Sequence, residues 1–465
     1  MPLLEILATA KLWQMKNYNR IKLRETLRSS YWFVPTLMTG AAIALAFLML
    51  NLDLAGKSEL MEIFGFKPFT GGLESGLTVL STIAGSMITV AGTVFSVTLV
   101  ALTLASQQFG SRVLRNFMQD MKYQFVLGTF LATFIYSLLV LRSVNVGREQ
   151  AFVPKISITV AILLAIASII VLIYFIHHAS TSIHAWHIIR EISDELESNI
   201  DELLSENVGN RHPEDKRQFV EEIATGFNKK AYPILATSSG YIRAIDYNRL
   251  LNIAKSKNLL LHFKQRPGKF IVRGSELVSV SPPERVNRKL TQQINYAFIL
   301  GRERTPFQDV EFSTKQLVEI AIRAISPAVN DPFTAIRCID QLSVALCRLA
   351  AKDFPSPYCY DDNQNLRLIT NQVTFAGLVD DAFHQIRQYG RQDVAVTIRL
   401  LEAIATIAKY TDNRKNRAAL LRHANMIKRG SQDLLEELDR EDVEERYQAV
   451  MRALSSKNVD SILDV

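Results

Sequence analysis

A chain of 465 residues with 48% hydrophobic and 21% charged side chains has the composition of an ordinary soluble protein, but its apolar residues crowd into the first 178 positions. Fourteen Lys and Arg face eight Asp and Glu there, so most of the formal net charge of +7 sits beside the apolar runs. That distribution excludes a nucleic-acid-binding surface, which needs Lys and Arg clustered on a soluble face, and points to cations flanking membrane spans.

Residues 1–30 carry Lys11, Lys16, Arg20, Lys22, Arg24 and Arg28, with Trp13 and then Trp32, the pattern of a basic amphipathic segment on a membrane surface. Four apolar segments follow near 32–51, 77–106, 123–141 and 155–176. Each is long enough for the roughly 20 helical residues that cross a hydrocarbon core. A four-helix transmembrane domain is expected over 31–178. The basic N-terminal flank, against a first loop in which Asp53, Glu59, Glu62 and Glu74 outnumber Lys57 and Lys67, places both termini in the cytoplasm. Arg112, Arg115 and Lys122 after the second span agree with this orientation, whereas Arg142, Arg148 and Lys155 after the third oppose it, with Arg142 and Lys155 within snorkelling reach of helix ends. No cleavable signal peptide is expected, because the basic flank is too long and no small-residue cleavage site follows.

The second span is the most informative stretch, because no ionisable side chain occurs between Glu74 and Arg112. At about 100° per residue, Thr78, Thr82, Gly85, Thr89, Gly92, Ser96, Thr103 and Ser106 fall on one side of the helix, interrupted by Leu99. A hydroxyl stripe on a greasy helix faces either a close helix neighbour or water. In a pore, Thr89 and Ser96 would offer oxygens to a partly dehydrated ion, and Phe95 with Leu99 would form an apolar gate. As a packing seam, Gly85 and Gly92 would let helices approach closely.

The fourth span is expected to run on as a helix into a connector over 179–230, with His177, His178, His184 and His187 where it leaves the membrane. His177, His184 and His187 share one side of such a helix, where copies in an oligomer would bring them together as a metal site or pH sensor; interfacial packing is the alternative use. A small β-barrel-like module follows over 231–283, with AYPILATSSGYIRAID as a strand broken at Ser-Gly, further strands in NLLLHF, KFIVRG and ELVSVS, a short helix entered through Asp246 as N-cap, and a turn at Pro267-Gly268.

The remainder, 284–465, reads as mainly helical. Ser313 with Gln316 has the spacing of a capping box, and Asp331-Pro332 supplies an N-cap and a first-turn proline to a helix whose Phe333, Ile336, Ile339, Leu342, Leu346 and Leu349 form its apolar face. Arg302, Glu303, Arg304 and Asp309 make a dense charged group, and Asn330 and Asp331 sit at a helix start. Pairing of Arg302 and Arg304 with carboxylates at a structural junction is the favoured use, since no His or Ser partner stands at a catalytic spacing. Cys338, Cys347 and Cys359 are odd in number and without metal-ligand spacing, which suits a reducing cytoplasm.

The stretches SMITVAGTVFSVTLVALTLASQQFGSRVLRNFMQD, VLGTFLATFIYSLLVLR, YFIHH, SGYIRAID, LGRERTPFQDVEF and AIRAISPAVNDPFTA resemble a bacterial family of predicted inner-membrane proteins, domain of unknown function 2254. The resemblance runs from the second span to about residue 350 and implies four spans with a cytoplasmic domain. It brings no activity, so function rests on the residues. With no phosphate loop, zinc-hydrolase helix or nucleophile elbow in the sequence, the expectation is a non-enzyme without cofactor or dedicated metal site. Its expected partners are the lipid bilayer and further copies of itself. The leading expectation is a homo-oligomeric channel for ions or small solutes in the inner membrane, lined by the second span, and the alternative is a membrane-anchored cytoplasmic sensor or scaffold.

Overall fold

The computed structural model describes residues 32–55, 68–110, 121–144, 152–182, 185–205, 231–434 and 436–455. The basic segment 1–30, the loop cations Lys57, Lys67, Arg112, Arg115 and Arg148, and His184 lie outside the described residues. The chain divides into two compact units, Met1–His184 and Ala185–Val465.

The first unit holds four helices long and apolar enough to cross a membrane: α1 (Phe33–Leu54), α2 (Leu73–Phe109), α3 (Met121–Ser143) and α4 (Lys155–Ser182). Helix α3 is the central one and packs against the other three. At Gly128 an added Cβ would lie 3.2 Å from the Pro35 backbone and closer still to the Met38 side chain, so the missing side chain lets α1 and α3 approach. One apolar core gathers Met87, Ala91, Val94, Phe130 and Phe175, and a second gathers Ala42, Ala46, Leu80, Tyr136, Val140 and Ile158. Several buried polar groups pair inside the bundle, as bilayer surroundings favour, whereas the buried Ser137 hydroxyl has no hydrogen-bond partner among the described residues. Thr133 and Ser168 meet at 3.0 Å, and the Tyr136 hydroxyl donates to the Ser157 carbonyl at 3.1 Å. Asp53, at the end of α1, accepts from the Ile156 and Ser157 amides at 2.8 and 2.9 Å and from the Ser157 hydroxyl at 2.7 Å. Its carboxylate thus sits where the positive end of the α4 dipole favours an anion.

The second unit begins with α5 (Ala185–Ser205), whose Ile188, Ile192, Leu196 and Ile200 recur at four-residue spacing and are all buried. Five strands and one helix follow from the expected module: β1 (Tyr232–Leu235), β2 (Gly240–Ile245), α6 (Tyr247–Lys257), β3 (Leu260–Phe263), β4 (Phe270–Ile271) and β5 (Glu276–Ser281). Next come α7 (Arg288–Asn295), β6 (Phe298–Gly301), α8 (Val310–Ala324), α9 (Pro332–Ala350), β7 (Tyr358–Tyr360) and β8 (Leu366–Ile369). The chain then forms α10 (Phe375–Tyr389), α11 (Val394–Ala408), α12 (Arg414–Gly430) and α13 (Glu437–Ser455).

Strands and helices therefore follow the four spans, as expected, but among the described residues the strands form two open sheets and not a closed barrel. One sheet runs β1-β5-β3-β8-β7 and the other β4-β2-β6. The late strand β8 enters the first sheet beside β3 in parallel, Leu261 facing Leu368, so residues far beyond 283 complete the β region.

Several local signals are realised as read. Asp246 accepts from the Arg249 amide at 2.9 Å, Asp331 from the Thr334 amide at 3.1 Å, and Gly268 takes the positive φ of +85° that its turn requires. Two others are not. Helix α8 starts at Val310, which places Ser313 buried inside the helix instead of at its cap. Phe333 is 75% exposed, because it lies in the first turn of α9 on a side that no described element covers.

Candidate functional site

Helix α2 is two-faced. Gly76, Leu80, Ala84, Met87, Ala91, Val94 and Ala101 are buried against the chain's own bundle. Thr78, Thr82, Gly85, Thr89, Gly92, Ser96, Leu99 and Thr103 are exposed, and at 100° per residue they lie roughly 180° away from that packed seam. The expected gate residues Phe95 and Leu99 are exposed too, on the edge of the same face. A Cβ added at Gly85 or at Gly92 would meet nothing within 4 Å, so neither glycine serves packing within the protomer.

Four of the stripe hydroxyls are committed to their own helix. Thr78 donates to the Glu74 carbonyl, Thr89 to Gly85 and Ser96 to Gly92, each at 2.9 Å, and Thr103 donates to Leu99 at 2.8 Å. Their protons are thereby occupied and their oxygen lone pairs face outward.

The described histidines of this group stand in separate units, and each has its own surroundings. His178 is buried, stacked on Tyr174 at 5.8 Å and tilted against Tyr123 at 5.2 Å between ring centroids. His177 is exposed on α4, and His187 is exposed on α5 with its ring edge-on to Trp186.

In the second unit the charged junction is built around two buried carboxylates, Asp309 and Glu311. Arg304 grips Asp309 with three hydrogen bonds of 2.7–2.9 Å, in fork geometry. Glu311 is held by Arg266 and by Lys269, the latter at 2.8 Å, from either side of the Pro267-Gly268 turn. Burial pushes the Asp309 carboxyl up, with Arg304 only partly offsetting it. Burial pushes Glu311 up as well, but its hydrogen bonds from Lys269 and Arg266 outweigh that and leave it below the usual carboxylate range.

Gly268 is indispensable to this arrangement, because a Cβ there would lie 2.2 Å from an Asp309 oxygen. Gln308, at φ +55°, accepts from the Ile245 amide at 3.0 Å, and the Glu303 carbonyl accepts from Arg243 at 3.1 Å, so the loop is stitched to β2. Arg302 is exposed. Asn330, at φ +51°, and Asp331 do separate work at the start of α9. Guanidinium and ammonium groups engage both carboxylates, an arrangement suited to fixing the start of α8 on the β region. Sequence spacing pointed to Arg304 and Asp309 but missed Arg266, Gly268, Lys269 and Glu311, of which only the turn at Gly268 carried a local signal.

Two further features of the second unit were not legible in advance. A cavity of about 590 Å³ between α9 and α11 is lined by Val344, Cys347, Ala351, Ala403, Thr406 and Tyr410 among others. Asp380 and His384 on α10 meet His423 from α12, a group of metal-type donors.

A family model described as "Predicted membrane protein (DUF2254)" matches residues 28–406. Uncharacterized proteins from two strains of Mycobacterium tuberculosis and from Mycobacterium bovis are each 30% identical over 421 residues, covering 89% of this chain and 78% of theirs. No solved structure matches the chain.

Proposed function

We propose, from the premise that the chain belongs to the DUF2254 family of predicted membrane proteins, that it is a homo-oligomeric channel for ions or small solutes in a bacterial inner membrane. The observation that carries this reading is the orientation of α2, whose hydroxyl and glycine stripe points away from its own bundle. Glycine inside a helix costs about 1 kcal/mol relative to alanine, and Gly85 and Gly92 return nothing within the protomer. Closed cyclic symmetry would bring one α2 from each copy to a common axis. The lining would then present lone pairs and no fixed charge, a surface that solvates cations weakly and discriminates little among them. Phe95 and Leu99 would form the apolar constriction. The termini and the second unit would lie in the cytoplasm, consistent with the basic flank ahead of α1.

The test is cation flux through the purified full chain in liposomes. Flux above that of empty liposomes, raised by Leu99→Ser, is expected. Silence from both the natural chain and Leu99→Ser contradicts the channel. A second reading, a membrane-anchored sensor or scaffold without transport, draws support from the cavity of about 590 Å³ in the second unit and predicts that silence.

A further inference from the structure

Asp380 and His384 stand four residues apart on α10, which puts them on one helix face, and His423 reaches the same point from α12. One donor atom from each of the three lies within 4.8 Å of the others. His423 Nε2 is 2.7 Å from an Asp380 carboxylate oxygen, and His384 Nε2 is 3.4 Å from that same oxygen. A tetrahedral ion bound at about 2.0–2.1 Å holds its donors roughly 3.3 Å apart, so rearrangements on the order of an ångström convert this cluster into a ligand set.

His423 supplies an independent pointer. Its side chain is fully buried and its Nδ1 has no hydrogen-bond partner, so its polar commitment runs through Nε2 toward Asp380. Because a carboxylate only accepts, the proton of that bond belongs to Nε2. An ion would take the place of that proton and leave the ring hydrogen on Nδ1. Burial, the leading cause, pushes the His423 pKa down, against the pull of the Asp380 carboxylate. Phe383 packs its ring edge-on to that of His423 at 6.0 Å, while Asp380 and His384 are partly exposed and leave an approach from solvent.

We propose that Asp380, His384 and His423 bind one divalent first-row transition-metal ion, for which Zn²⁺ is the natural probe, and that the ion clips α10 to α12. Two imidazoles and one carboxylate select such an ion over Ca²⁺ or Mg²⁺, which take all-oxygen sets. Arg422 pairs with the same Asp380 oxygen and acts as an outer partner, orienting the carboxylate while its charge opposes the ion. The site goes beyond the channel reading and stands without it, and His423 lies past residue 406, where the family match ends.

The experiment uses the full chain purified in detergent and stripped with a chelator, with Zn²⁺ titrated against a chromophoric competitor and Co²⁺ visible absorption as a second readout. One ion per chain is expected, with affinity reduced at least 10-fold by His384→Ala and by Asp380→Asn, and increased by Arg422→Gln. Both weakening substitutions are at partly exposed positions, and thermal unfolding checks that the variants fold. His423 is left intact because emptying a fully buried position risks the fold itself. Binding that His384→Ala and Asp380→Asn leave unchanged, or no binding of Zn²⁺ by the natural chain, overturns the site.

Discussion

The two units bury polarity by different means. Among the described residues of the spans, buried polar contacts join hydroxyls and carbonyls, as between Thr133 and Ser168 or Tyr136 and Ser157, and the one carboxylate bound there, Asp53, is met by amides and a hydroxyl at a helix N-terminus. The second unit buries whole ion pairs: Arg304 with Asp309, Arg266 with Glu311, and Arg367 with Asp361. Their exposed faces contrast as well. Beyond Glu74 in its first turn, the outward side of α2 shows no charge, whereas the outward side of α12 carries Arg414, Arg422 and Arg429. In water an uncharged helix face 30 residues long would draw another molecule onto it, but in a bilayer it needs no charge and is free to carry hydroxyls and glycines for a specific neighbour.

The largest effect is expected where an ion pair is broken inside the second unit. Asp309→Ala leaves Arg304 buried without its carboxylate and should cost about 3–5 kcal/mol in denaturant unfolding of the full chain. A loss below about 1 kcal/mol would put the pair in the class of exposed bridges and erase the contrast between the units.

Next in size is a test of the two faces of α2. Ala91→Leu, on the packed seam, should destabilise the bundle by about 1–3 kcal/mol through overpacking. Its neighbour Gly92→Ala, where a Cβ meets nothing, should instead stabilise the protomer by up to about 1 kcal/mol. Losses of equal size at both positions would mean that α2 has no free face within the protomer.

Acid sensitivity sharpens the contrast further. Burial pushes the Asp361 carboxyl up, but the Asn365 amide hydrogen bond and the Arg367 guanidinium outweigh it and lower the group from 3.8 to about 2. A lowered carboxyl contributes stability that is present above its unfolded value and lost as pH falls through the folded one, so the second unit should weaken between about 3.8 and about 2. Asp361→Asn should flatten that acid limb, and a limb of unchanged slope would contradict the assignment. The smallest effect is expected at Arg399, whose pairs with Asp340 and Glu402 are 34–40% exposed. Arg399→Ala should change stability by less than about 1 kcal/mol.

What could be read from sequence followed the range of the interaction. The spans rest on uninterrupted apolar runs, and the caps at Asp246 and Asp331 rest on bonds three residues long, so both were visible in one dimension. Ser313 and Gln316 show the limit of that logic: the spacing was right, but α8 begins earlier, at Val310, after an N-cap position held by Asp309, whose side chain is taken by Arg304. Strands β6, β7 and β8 are three or four residues long, too short for alternation to register, and β8 owes its place to β3 more than 100 positions earlier. The α2 stripe was legible as a pattern, but which way it faced depended on the seam formed with α3 and α4. The meeting of His384 with His423 is likewise a product of how α10 packs on α12 and leaves no trace in local spacing.

Whether the stripe of α2 borders a shared aqueous path is tested most directly by cysteine accessibility. Single cysteines at Thr89 and Ser96, with Val97 as the flanking control, are placed in a chain whose Cys338, Cys347 and Cys359 have been replaced, and the reconstituted protein is treated with a membrane-impermeant thiol reagent. Water along the stripe predicts modification at 89 and 96 and protection at 97. Protection at all three positions, or equal modification at all three, contradicts a pathway lined by this helix.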